Sequence, residues 1–325
     1  MTRGDDLTIF YVADIHGSDI CFRKWLNAGR FYGADVLIIG GDLTGKILLP
    51  IYADSDAATT AWTATWKGRQ LRLETRSEVD ELIRTARNEG AYGYVTTPDE
   101  VAAIRASRDL EREVFTRLKL EALEGWLRLA DERLADSGVR VLVMAGNDDP
   151  PEVDPVLAGA HRLEDVGGRV VELAPDIWMA SRGESTPTPW NTPRELPDED
   201  LGSKVREVVD DLPAGGVSIW NLHMPPNRTG IDEAPELDGD LRVLYDGSGE
   251  PRMRPVGSKA IKSLIADREP TLALHGHIHE GRGRYRIGRT FGANPGSQYQ
   301  DGVLMGLLIR VSARHGVRDL TFTAG

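Results

Sequence analysis

The chain has 325 residues, 40% of them apolar and 28% charged, the balance of a globular protein in water rather than of a disordered or membrane-embedded one. Its 39 basic and 51 acidic side chains leave a formal charge of −12, which disfavours long nucleic acid and anionic lipid unless bound cations reverse the local field. No run approaches the roughly 18 apolar residues of a spanning helix, and the acidic start from Met1 to Asp6 is unlike a secretory leader. With Cys21 alone there is no internal disulfide, so the expected compartment is the cytoplasm, with no membrane contact.

In chain order, short β-branched apolar runs at 7–13, 36–39, 139–145, 217–222 and 271–274 predict buried strands, and 303–311 and 317–323 add two more late in the chain. Helical patterns between several of them predict an α/β fold rather than an all-β one. The stretch between Asp42 and Val139 is too long for a plain crossover. Its segments 76–88 and 98–135 read as charged helices, the second starting at Thr97 and Pro98 with Glu100 in its first turn and stopping at Ser137-Gly138. The expected organisation is one domain over 1–325 with a mainly helical insertion at 51–136. The insertion's Leu110, Val114, Leu118 and the segment from Leu120 to Leu123 are expected first to pack on the main body, with capping of the cleft or a homo-oligomer contact as the other uses. Residues 185–198, which carry Trp190, and 225–255 read as long loops rich in proline or glycine.

Metal-capable side chains follow five of the apolar runs. Asp14 and His16 come after the first, Asp42 after the second and Gly40-Gly41, Asn147 after the third and Gly146, and His223 after the fourth. His275, His277 and His279 come after the fifth. Open α/β sheets bind ligands at the carboxyl ends of their strands, and side chains two apart on an extended segment face one way and can grip one ion together. A lone histidine is more often structural, but five successive strand ends with oxygen or imidazole donors predict a metal site. Gly41 and Gly146, each directly before one of these residues, are expected to let the backbone turn sharply.

These motifs, Asp14-x-His16, Gly41-Asp42, Gly146-Asn147, His223 and Gly276-His277-x-His279, resemble those of the calcineurin-like metallophosphoesterase family. The likeness covers most of the chain outside the helical lobe and includes the turn Asn294-Pro295-Gly296-Ser297. It implies a four-layer αββα sandwich with the lobe inserted. It also implies two divalent ions, one held by Asp14, His16, Asp42 and His279 and the other by Asp42, Asn147, His223 and His277, with Asp42 bridging. Manganese is the first expectation, with iron, zinc or cobalt as alternatives, since imidazole and oxygen donors without cysteine disfavour calcium. The implied activity is hydrolysis of a small phosphodiester or an activated phosphoester by a metal-bridging hydroxide. The alternative, found in a retromer subunit branch of the same fold, is a catalytically weak scaffold acting through protein contacts.

One departure from the family pattern bears on mechanism. Where the family places a histidine directly after the asparagine, this chain has Asp148 and then Asp149. Asp148 stands at the position of the catalytic acid, but a carboxylate beside two cations is a poor proton donor. Either the substrate has an easily expelled leaving group and needs no acid, or His275 reaches in from the neighbouring strand as the second catalytic candidate. Candidate substrate contacts are Arg182, Trp190, Asn191 and Asn227. The segment Gly40-x-x-x-x-Gly45-Lys46 matches most of a nucleotide phosphate loop, but Ile47 stands where a hydroxyl is needed and Pro50 would disturb the helix that should come next.

Overall fold

The computed structural model describes residues 6–53 and 61–325. Strand β1 (Asp6–Val12), helix α1 (Asp19–Tyr32) and strand β2 (Val36–Gly40) come first, with β1 and β2 parallel. The α1 helix starts at Ser18, whose hydroxyl accepts from the Cys21 amide, and stops at Gly33 in a left-handed conformation (φ 63°) that lets its N–H reach the Gly29 carbonyl. Next come β3 (Ile47–Ala53), β4 (Trp62–Trp66), β5 (Arg69–Leu73), α2 (Arg76–Asn88), β6 (Ala91–Thr96), α3 (Pro98–Ala106) and α4 (Arg108–Arg133). The chain continues with β7 (Arg140–Met144), α5 (Val153–Ala158), β8 (Leu163–Asp165), β9 (Val170–Ala174), β10 (Ile177–Arg182), α6 (Asp198–Val209) and β11 (Val217–Leu222). It ends with β12 (Glu233–Pro235), β13 (Met253–Pro255), α7 (Lys259–Arg268), β14 (Leu272–Leu274), β15 (Gly283–Ile287), β16 (Thr290–Asn294), β17 (Met305–Ser312) and β18 (Gly316–Ala324).

Two six-stranded sheets result, in the orders β18-β17-β1-β2-β7-β8 and β15-β16-β14-β11-β10-β9. In the first, β1, β2, β7 and β8 are parallel neighbours; in the second, β10, β11, β14 and β16 are. Side chains alternate between the two faces of each strand, and the core follows that alternation. Ile9, Tyr11, Ile38, Leu142 and Leu307 of the first sheet pack against Ile177, Met179, Ile219 and Leu272 of the second. The opposite face of the first sheet, with Phe10, Val12, Leu37, Ile39 and Val143, is covered by Trp25 of α1, Trp126 of α4 and Leu157 of α5. Trp220 and Ala273, on the far face of the second sheet, are covered by Val205 of α6 and Ile265 of α7. A buried aromatic of this kind removes roughly 150–250 Å² from water, a contribution of about 4–6 kcal/mol before chain entropy.

The α/β class expected from the sequence is the class observed, and the expected strands and the 76–88 helix coincide with observed elements. Three features differ. The segment read as one helix over 98–135 is two, because Ser107 ends α3 and its hydroxyl accepts from the Leu110 amide to start α4. Residues 51–136, of which 54–60 lie outside the described residues, carry much of a four-stranded sheet, β5-β4-β3-β6, with its own core of Leu49, Ile51, Ala64, Val79 and Leu82. The α4 helix belongs to the main body instead: Phe22 of α1 stacks on Trp126 with ring centroids 4.2 Å apart. The 225–255 loop also contains the small antiparallel pair of β12 and β13. Among the described residues no helix is long and apolar enough to cross a membrane.

Candidate metal centre

Side chains from the ends of β1, β2, β7, β11 and β14 converge on one buried cluster. The carboxylate of Asp42 lies between two rings, with Oδ2 3.5 Å from His16 Nε2 and 3.4 Å from His223 Nε2. Asp14 Oδ1 lies 3.9 Å from His16 Nε2, 3.8 Å from His223 Nε2 and 3.6 Å from His279 Nε2. The two Nε2 atoms of His16 and His279 face each other at 3.0 Å. His277 Nδ1 is 2.7 Å from Asn147 Oδ1, and its ring meets that of His223 edge-on at 5.4 Å. All seven residues expected at the site are therefore in one contact network, and Asp14, His16, Asp42, Asn147 and His223 are at most 2% exposed.

The backbone is bent to bring them there. Asp14, His16, Asp42 and His277 all have positive φ, at 55°, 39°, 55° and 67°, a region in which side chains other than glycine cost of order 1–3 kcal/mol each. Hydrogen bonds hold these bends: the Asp14 and His16 amides donate to the Gly41 and Asp42 carbonyls at 3.1 and 3.0 Å, and the His277 amide donates to the Asp14 carboxylate at 3.0 Å. Gly41 has the expected conformational role, with φ 110°. For Gly146 the reason is space instead, since a Cβ there would sit 2.2 Å from Asp42 Oδ1. The Asn294-Pro295-Gly296-Ser297 turn supports the histidine segment: Asn294 Nδ2 donates to the Gly276 and Ile278 carbonyls, and Ser297 Oγ donates to the Asp14 carbonyl.

Electrostatics distinguishes the rings. Burial pushes His277 down to about 4, assisted by the charge of His223. Burial, Lys46 and the neighbouring rings hold His16 well below its usual value against the pull of Asp42. Burial also opposes charge on His223, but Asp42, Asp14 and the Gly40 carbonyl outweigh it and raise that ring to about 9. Burial raises Asp42 as well, yet His223 and His16 more than reverse this and hold it well below the carboxylate range. His16 Nδ1 and His223 Nε2 are buried without a well-formed hydrogen bond. Buried polar atoms normally have partners, so imidazole nitrogens left bare beside two carboxylates suit a cation. The sets Asp14, His16, His279 and Asp14, Asp42, His223, as well as His16, Asp42, Asp148, each bring their donor atoms within 4.8 Å of one another.

The other expected residues divide. Asp148 is at the edge of the cluster, with Oδ2 3.9 Å from His16 Nδ1 and 2.5 Å from Lys46 Nζ, and burial followed by the charge of Asp42 raises its pKa to about 6. His275 points away from the cluster: Nδ1 is 2.8 Å from the Leu222 carbonyl and Nε2 is 2.9 Å from the Tyr285 hydroxyl. Both ring nitrogens are thereby occupied inside the second sheet, so the structure does not bring His275 to the cluster. Arg182 contributes its carbonyl to the His223 amide, but its guanidinium pairs with Glu184 at 2.5 Å. Trp190 is 64% exposed, and the 185–198 loop meets the cluster through Thr192, whose hydroxyl accepts from Asn147 Nδ2 at 2.8 Å. The Asn191 amide bonds within its own loop to Thr188, and the Asn227 amide donates to the Ser258 carbonyl.

Four residues that sequence reasoning missed also build the site. The Tyr299 ring lies 4.8 Å from that of His16 and 5.8 Å from that of His279. Asp149 braces the Asp42–Gly45 loop by accepting from the Leu43 and Thr44 amides, and Lys46 and Lys119 both reach Asp148. Only Lys46 left a signal, in the partial phosphate-loop match; in the structure strand β3, not a helix, comes after it.

A mixed α/β fold and a buried cluster of Asp and His compatible with metal binding thus define the class. No family model matches the chain. It is 32% identical over 169 residues to an uncharacterized protein of Methanocaldococcus jannaschii, an alignment covering 50% of this chain and 68% of that protein. The chain belongs to the family of that protein. A crystal structure from Thermus thermophilus matches at TM-score 0.52 and 14% identity over 98% of both chains, and another crystal structure at TM-score 0.55 and 14% over the same shares. These two likenesses concern the fold alone. The solved structure of a novel archaeal phosphodiesterase matches at TM-score 0.32 and 8% identity, over 98% of this chain and 100% of that one, too weakly to establish a common fold.

Proposed function

We propose that the chain is a metal-dependent phosphoesterase, a hydrolase of small phosphodiesters or activated phosphoesters, built as one αββα domain with the sheet of β3 to β6 and helix α2 as its insertion. The observation that carries this reading is the convergence of Asp14, His16, Asp42, Asn147, His223, His277 and His279 from five strand ends, with Asp42 Oδ2 between His16 and His223. Asp14, His16, Asp42 and His279 would hold one divalent cation, and Asp42, Asn147, His223 and His277 a second, with manganese the first choice. When bound, such a pair supplies Lewis acidity for the phosphoryl group and activates water. The protein's own groups fix the donors: the Gly40 carbonyl, 2.8 Å from His223 Nδ1, orients that ring with Nε2 toward Asp42. Thr192 turns the Asn147 amide so that its oxygen faces His277, and the bends at Asp14 and Asp42 set both carboxylates inward.

The test is to measure metal content by mass spectrometry and hydrolysis of mono- and bis-nitrophenyl phosphate with manganese, with chelator and after readdition. We expect about two ions per chain, loss of activity on chelation and its return with manganese. Hydrolysis indifferent to thorough chelation would refute this function, and two bound ions without turnover of either ester would favour the scaffold.

A further inference from the structure

Lys46 stands at the edge of the cluster, on a segment fixed from several sides. Asp149 accepts from the Leu43 and Thr44 amides and from the Thr44 hydroxyl, the Tyr92 hydroxyl accepts from the Gly45 amide at 2.9 Å, and β3 begins immediately after Lys46. Its Nζ lies 2.5 Å from Asp148 Oδ2, the oxygen that is also 3.9 Å from His16 Nδ1. Asp148 is itself held through its backbone: its amide donates to Asp42 Oδ1 at 3.0 Å, and its carbonyl accepts from Lys119 Nζ of α4 at 3.3 Å. The Asp148 side chain is 14% exposed and that of Lys46 39%, so the pair runs from His16 outward to solvent. The neighbouring cations are committed elsewhere, Arg182 to Glu184 and Arg194 to Asp154 and the Asp149 and Pro150 carbonyls.

We propose that Lys46 is a substrate contact, its ammonium steered by Asp148 to hydrogen-bond a non-bridging oxygen of the phosphate seated at the cluster. This rests on the function proposed above and, within it, concerns activated monoesters more than diesters. An ammonium carries three N–H donors; one directed to Asp148 leaves two for phosphate, so the ion pair need not break for substrate to enter. The carboxylate at position 148, where the family pattern has an imidazole, then acts by positioning a cation and not by giving up a proton. Such a contact favours the substrate with more charge and more free oxygens, so Lys46 assists a dianionic phosphomonoester more than a monoanionic diester. Lysine meets phosphate as a point charge where arginine would form a planar fork, so arginine is an incomplete replacement.

The experiment compares the full chain with its Lys46→Met and Lys46→Arg variants. The readouts are calorimetric titration of inorganic phosphate with manganese supplied, steady-state kinetics on mono- and bis-nitrophenyl phosphate, metal content and melting temperature. Loss of a charge-assisted hydrogen bond predicts that Lys46→Met weakens phosphate binding and raises KM for the monoester by roughly ten- to a hundredfold. The diester should suffer less, Lys46→Arg should recover part of the loss, and metal content and melting should stay at the wild-type level. Unchanged phosphate affinity in Lys46→Met would overturn the proposal, as would a loss that only tracks lost metal, which would make Lys46 a brace for Asp148. A chain that takes up no manganese and turns over neither ester would end the functional reading and this proposal with it, whereas normal metal uptake and turnover with phosphate affinity unchanged in Lys46→Met would end this proposal alone.

Discussion

Replacing Asp149 by alanine tests whether the loop carrying Asp42 is braced as the structure implies. The Asp149 carboxylate is inaccessible to solvent and accepts four hydrogen bonds, from the Leu43 and Gly146 amides at 2.9 and 2.8 Å on Oδ2 and from the Thr44 amide and hydroxyl, both at 2.7 Å, on Oδ1. Burial and then the charge of Asp42 raise its pKa, and the same donors pull against that rise. Leu43 and Thr44 are 1% and 2% exposed, so Asp149→Ala strands donors that water reaches poorly. An unsatisfied buried donor costs roughly 1–3 kcal/mol; taking the low end for each donor, because water can enter the vacated space, gives a loss on the order of 4 kcal/mol. That lies in the tail of single substitutions. Asp149→Asn keeps one accepting oxygen and should lose about half as much. The assay is urea denaturation of the chelated protein, read from the midpoint at constant m. A loss below about 1 kcal/mol for Asp149→Ala would refute the reasoning, since the amides would then have found other partners.

The donor set was legible because each member comes directly after a short apolar run, and parallel strands of that kind deliver the residues beyond their carboxyl ends to one edge of the sheet. Asp14, Asp42, Asn147, His223 and His277 all fall within three residues of the end of such a strand. The His275 expectation shows where this stops. It is as near to its strand end as its neighbours, but its ring nitrogens meet the Leu222 carbonyl and the Tyr285 hydroxyl, partners 53 and 10 positions away that spacing does not encode. The meeting of Lys46 and Lys119 at Asp148 was hidden for another reason, because it joins residues 73 positions apart through the packing of α4 on the main body. The strands of the insertion escaped notice since β4 and β5 are half exposed, mixing Trp62 and Trp66 with Arg69 and Arg72, and lack the continuous apolar signature of the central strands.

Two further outcomes concern the histidines. His275→Phe should keep metal content and turnover near the wild-type level while lowering stability by about 2–3 kcal/mol, since the Leu222 carbonyl and Tyr285 hydroxyl lose a buried partner; denaturation and metal analysis check this, and lost metal at unchanged stability would contradict it. His223 makes metal uptake depend on pH. In the chelated protein burial opposes its charge, but Asp42 and Asp14 prevail and raise it from 6.5 to about 9. A folded-state value above the unfolded one means that protonated His223 stabilises the metal-free fold fully below pH 6.5 and that this stabilisation is lost as pH rises through about 9. A cation needs the ring neutral, so binding near pH 7 must expel that proton, whereas His277, lowered to about 4, is already neutral there. Titrating manganese into weakly buffered protein should therefore release about one proton per chain near pH 7 and clearly less above pH 9, with apparent affinity climbing between the two. Equal release at both values would mean that Asp42 and Asp14 do not hold a proton on His223 and that the charge balance of the cluster in the chelated protein is set by another group.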